Sequence, residues 1–103
     1  MNKDKSQQIK QIVAKIDIEK INGYLQENST STSLKEIVKY SKRILESNEE
    51  EKVFKLAVHL AYDLDTICDP DKAGYVKDEA EKEHWLEIAK ELFKNTVGVK
   101  DKK

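Results

Sequence analysis

Apolar residues recur at helical spacing along most of the chain, and short polar stretches divide them into four segments. In the first, Ile9, Ile12, Val13 and Ile16 follow the i, i+3, i+4, i+7 rhythm of an amphipathic helix that opens near Asp4 or Ser6. Ile18, Ile21 and Leu25 form a second stripe, rotated well away from the first on a continuous helical wheel. Asp17 therefore either caps a second short helix or marks a kink in a single one, and the segment ends near Gln26 despite Gly23. The linker Asn28–Ser33, NSTSTS, is rich in side chains that compete with the backbone and favour turns and caps.

Ser33-Leu34-Lys35-Glu36 has the spacing of a capping box, so the next helix is expected to open there. Its stripe is Leu34, Ile37, Val38, Ser41, Ile44 and Leu45, ending near Glu46. A second capping box, Ser47-Asn48-Glu49-Glu50, opens the strongest segment, Ser47–Cys68, and Glu49–Glu51 favour the positive end of its dipole. Val53, Ala57, Leu60, Leu64, Ile67 and Cys68 form one stripe there, and Phe54, Val58 and Ala61 widen it to about half the circumference. A helix this apolar touches several neighbours and belongs at the centre. The last helix is expected to start at Asp78, with Glu81 at its third position. It turns Trp85, Ile88, Ala89, Leu92 and Phe93 inward and stops by Gly98. The pattern predicts an all-α, antiparallel four-helix bundle over residues 1–98, its first helix kinked or divided near Asp17, followed by a frayed basic tail over 99–103.

Composition sharpens this picture. Apolar and charged residues each make up 38% of the chain, with three Gly and one Pro, which suits a helical domain better than a disordered one. The net charge of -1 argues against a nucleic-acid partner, although a local basic patch survives such a balance. Cys68 is alone, so no intramolecular disulfide can form. The N-terminal residues lack the apolar run of a secretory signal, and no window has the length of a membrane helix. A cytoplasmic protein is expected.

Candidate chemistry is sparse. The loop Asp69–Ala80, DPDKAGYVKDEA, matches part of the calcium-loop template, with Asp69 and Asp71 at ligand positions and Gly74 at the turn. Ala73 and Ala80 occupy two other ligand positions, so the loop reads as a helix stop: Pro70 ends one helix, Gly74 relaxes the turn and Asp78 caps the next. Beyond the weak candidates Asp69 and Asp71, no metal or cofactor is expected. His59 and His84 read as surface or boundary residues and Cys68 as a buried small hydrophobe. Asp63 and Asp65 point to different sides of their helix and make no carboxylate pair. Enzyme activity is not expected. Lys3, Lys5, Lys10, Lys15 and Lys20, with Lys94, Lys100, Lys102 and Lys103, would share one end of a four-helix bundle, where they could meet an acidic partner or anionic lipid heads. Tyr24, Tyr40, Tyr62 and Tyr75 add amphipathic contact surface.

The helix ending RILESN (Arg43–Asn48), the run EEKVFKLAVHLAYDLD (Glu50–Asp65) and the closing helix EHWLEIAKELF (Glu83–Phe93) give the stretch Ser33–Phe93 a family likeness. It resembles the bacteriocin immunity proteins of the enterocin A immunity type. The resemblance implies a small cytoplasmic four-helix bundle of Gram-positive bacteria that protects its producer from a cognate pore-forming peptide. The implied mode of action is binding, in concert with the membrane receptor that the peptide attacks, with specificity in the C-terminal part. On that basis the last helix and the tail, with Lys94, Lys100, Lys102, Lys103 and Tyr75, are the candidate partner-binding surface. The competing expectations are a phage- or plasmid-encoded helical protein that inhibits another protein or grips nucleic acid, and a degenerate calcium-binding module.

Overall fold

The chain carries five α-helices in the computed structural model, which describes residues 3–96: α1 Lys3–Val13, α2 Ile18–Glu27, α3 Thr32–Glu46, α4 Glu50–Ile67 and α5 Glu79–Lys94. No strand occurs among the described residues. The fold is all-α, and the fifth helix comes from division of the first segment. After α1 the backbone tightens, with the Lys15 and Ile16 amides donating to the carbonyls of Ile12 and Val13. Asp17 then sits in extended conformation and accepts from the Lys20 amide at 3.2 Å, capping α2. The break reconciles the two rotated stripes, because Ile9, Ile12, Val13 and Ile16 are buried before it and Ile21 after it. No single straight helix could turn both sets toward one core.

The apolar face of α4 explains its central place. Val53, Ala57, Leu60, Ala61, Leu64 and Ile67 are all buried, and the helix packs against α3, α5 and α1. Trp85, Ile88, Ala89 and Leu92 close the core from α5, and Leu34, Ile37 and Ile44 from α3. Tethers hold α1 and α2 against the rest: Lys10 Nζ donates to the Ser47 carbonyl at 2.7 Å, and Lys15 and Lys20 pair with Glu91 and Glu81, each at 3.3 Å.

Several helix starts differ from expectation, each for a local reason. Since α1 is already helical at Lys3, neither Asp4 nor Ser6 caps it. Ser31, not Ser33, caps α3, its hydroxyl accepting from the Leu34 amide at 3.2 Å. The linker offers serine at both positions, and the earlier one takes the role. Likewise α4 opens at Glu50 rather than Ser47, because the Ser47 hydroxyl accepts from the Glu49 amide at 3.1 Å and closes a local turn instead. Asp78 does flank α5 as its N-cap residue, yet its side chain makes no capping bond. That carboxylate accepts from the Tyr24 hydroxyl at 2.7 Å, fastening α2 to the start of α5.

Between α4 and α5 the loop folds back over the end of α4, where the Val76 amide donates to the Ile67 carbonyl at 2.7 Å. Gly74 turns it with φ +90, and a Cβ there would lie 2.8 Å from the Ser31 hydroxyl. The α4–α5 loop thus rests on the residue that caps α3. The Gly98 stop and the tail 99–103 lie outside the described residues.

Candidate functional site

Two helical turns on the outer seam of α3 and α4 bring four chemistry-bearing side chains together. Tyr40 of α3 lies against His59 of α4, with ring centroids 6.0 Å apart. One turn away along each helix, Glu36 of α3 faces Asp63 of α4. Helical spacing of four residues places the two members of each helix on one side, which is why a single seam holds the whole group.

Asp63 is the unusual member. Its Oδ2 is sealed from solvent, and no donor among the described residues reaches it. Burial, and after it the facing carboxyl of Glu36, push the Asp63 carboxyl up to about 8. These observations share one physical cause. Two ionised carboxylates have no proton to offer each other, whereas a proton on Asp63 supplies the missing donor toward Glu36. Within α4 the sequence offers Asp63 only Asp65, which points to another side of the helix; its partner comes from α3. Counting outward from the Ser47–Glu49 turn, which sets Tyr40 opposite His59, also sets Glu36 opposite Asp63.

The seam does not assemble a nucleophile. Cys68 is buried at the end of α4, where burial outweighs the nearby Lys82 ammonium and pushes the thiol up to about 11, away from the reactive thiolate. Tyr24 is also held in its neutral form: burial and its bond to Asp78 push the phenol up to about 12. The Trp85 indole donates to the same hydroxyl at 3.4 Å, and the two rings meet edge to face. This trio joins α2 to α5 as a structural tie.

Asp69, half-buried, and Asp71, exposed, lie in the α4–α5 loop, where the Asp69 carboxylate accepts from the Asp71 amide at 2.9 Å. Among the described residues, no group of three or more His, Cys, Asp and Glu side chains is gathered to hold a metal. Tyr75 is half-buried and lines a shallow groove with Lys20, Tyr24, Lys77 and Asp78. Lys94 is exposed at the end of α5, and Lys5 reaches that end, donating to Asn95 at 3.4 Å. Lys100, Lys102 and Lys103 lie outside the described residues. Of the first-segment lysines, Lys5, Lys10, Lys15 and Lys20 all contact other helices or turns, so they act as tethers as much as free charges.

Two surface features went unread in the sequence. Lys35, Lys39, Lys42 and Arg43 form an exposed cationic stripe on α3, and none joins an ion pair among the described residues. Their i, i+4, i+7 spacing was legible but was masked by the capping-box reading of the same segment. On the seam of α4 and α5, Tyr62 is 58% exposed and packs edge to face on Phe93, with ring centroids 5.0 Å apart. The helical spacing predicts Phe93 inward, whereas it is only partly buried beside the core. No described helix is long and apolar enough to cross a membrane.

The chain matches no protein-family model, no curated protein and no solved structure.

Proposed function

We propose that this protein works by binding, without catalysis, as an immunity protein that protects its producer cell from a cognate pore-forming peptide. In this reading α3, α4 and α5, which carry the family likeness, form the antiparallel body of a bundle with α1 and α2 laid across it. The observation that carries the proposal is the exposed Tyr62 on its Phe93 platform, beside the C-terminal helix where the likeness puts recognition. A large aromatic ring left in water costs apolar hydration, and it becomes an anchor once a partner covers it. Lys90 and Lys94, exposed on the same helix, supply charge at the rim. Action from the cytoplasm against a receptor in the membrane suits a helical body of this kind.

Expression in a sensitive strain, followed by challenge with a panel of pore-forming peptides, tests the reading. Protection against at least one peptide is expected, and Tyr62→Ala should weaken it without unfolding the protein. Unchanged killing across the panel would reject the proposal.

A second reading follows from the α3 stripe. Four exposed cations along one helix face, in no ion pair among the described residues, are the kind of surface that releases counterions on meeting a polyphosphate backbone. A mobility-shift assay at low salt decides it, and the absence of any shift would remove nucleic acid as the partner.

A further inference from the structure

We propose that the α3–α4 seam is a proton-gated latch: a proton held between Glu36 and Asp63 keeps this flank closed, and its loss sets two carboxylates against each other and loosens the seam. The inference is independent of the immunity reading, since it concerns how the two helices are held and not what they bind. It starts from the sealed Asp63 Oδ2, an acceptor withdrawn from water with no donor among the described residues. A buried ionised oxygen in that position is costly, and a facing acid makes it costlier.

Among the described residues, no cation forms an ion pair with either acid. From α3, Glu36 faces Asp63, while Lys35 and Lys39 are exposed and form no ion pair among the described residues. On α4 itself, His59 lies one turn away against Tyr40, and Lys52 and Lys55 are exposed. The other helix packed on both α3 and α4 is α1, whose Lys5 and Lys10 reach Asn95 and Ser47. Beyond α1, Lys15 pairs with Glu91 of α5, which packs on α4's other side. From α2, which packs on α3, Lys20 pairs with Glu81. Among the described residues, a proton is the counter-charge left to this arrangement. Upward displacement of the Asp63 titration to about 8 puts the switch near neutrality. Leu34, Ile37 and Ile44 are buried in the core beside the seam, so release of the latch is expected to loosen a flank and leave the core assembled.

Carbon-detected NMR titration of the side-chain carboxyls, from about pH 4 to about pH 9, tests the first half. One carboxyl of the pair should titrate well above the ordinary range in the wild type, and Glu36→Gln should bring Asp63 down. Amide hydrogen exchange tests the second half. Relative to α5 amides in the same sample, seam amides around Glu36–Tyr40 and His59–Asp63 should open severalfold more often at the alkaline end. That excess should vanish in Asp63→Asn. Should Asp63→Asn not fold, Glu36→Gln serves, with a smaller excess expected. Both carboxyls titrating in the ordinary range would overturn the latch, as would seam protection that follows the same pH course in wild type and variant.

Discussion

Toward α5, α4 sets the ring of Tyr62 against Phe93 and the Cys68 thiol against the Lys82 carbonyl; toward α3, it sets His59 against Tyr40 and Asp63 against Glu36. Both flanks hold an aromatic pair at comparable separation, 5.0 Å on one and 6.0 Å on the other. They differ in what lies one turn further along. The α5 flank continues into apolar packing whose strength does not depend on protonation. The α3 flank continues into two acids, whose mutual energy changes with every proton gained or lost. One helix can therefore serve as the common core of the fold while its two sides answer differently to conditions. Its buried stripe determines which helices meet, and its flanks determine when they hold.

The strongest way to break this comparison is to attack the apolar side. Trp85 is 1% exposed, and its indole also reaches the Tyr24 hydroxyl. Trp85→Ala should cost about 3–5 kcal/mol of unfolding free energy, measured by denaturant titration, with the same loss at acidic and neutral pH. A loss under about 1 kcal/mol would mean that α5 is not part of the core.

The α3 side should instead respond to pH. Asp63 has an ordinary value of 3.8 when unfolded and titrates at about 8 in the fold, so between these values the unfolded chain holds fewer protons than the native one. Stability from this group is fully present below 3.8 and declines as pH rises toward about 8. With allowance for solvent screening of a half-buried acid, the decline should be on the order of 1–3 kcal/mol. Urea midpoints across that range should fall in the wild type and stay level in Asp63→Asn. Parallel curves would show that the two flanks do not differ in this respect.

The α5 side was far more legible in the sequence than the α3 side, and the reason is physical. Trp85, Ile88, Ala89 and Leu92 repeat at helical spacing, so a one-dimensional pattern is enough to turn them inward, as it was for the stripe of α4. The Asp17 break was legible for the same reason, because two rotated stripes need a joint between them. Glu36 and Asp63 carry no such periodic signature. In the sequence Glu36 reads as the last member of a capping box and Asp63 as an acid with no pair on its own helix, and only the pairing of α3 with α4 makes them neighbours. The caps were misread where serines compete: Ser31 and Ser33 both suit the end of α3, and the choice depends on the loop that packs there. Asp78 was placed correctly as an N-terminal flank, but its carboxylate was drawn to a tyrosine fifty-four residues earlier, which local spacing cannot reveal.

A loop substitution probes how the two flanks are joined. Gly74 adopts φ +90 and sits where a Cβ would lie 2.8 Å from the Ser31 hydroxyl that caps α3. Gly74→Ala should cost about 1–2 kcal/mol from backbone strain, and displacement of the Ser31 side chain should weaken the α3 cap as well. The check is the helical signal of α3 amides in exchange experiments alongside global stability. A variant as stable as wild type would separate the α4–α5 loop from the α3 cap.

The smallest effect concerns two buried hydroxyls. Thr96, after α5, is 3% exposed and donates to the Leu92 carbonyl at 2.7 Å, while Ser41 of α3 is 1% exposed and its hydroxyl has no partner among the described residues. Removing a buried group that already lacks a partner relieves its desolvation cost, whereas removing a paired one forfeits a bond. Ser41→Ala should therefore raise stability by about 0.5–1 kcal/mol, and Thr96→Val should lower it by a similar amount. If Ser41→Ala lowers stability instead, its hydroxyl has a partner in solution, and the α3 side is better satisfied than its unpaired oxygens imply.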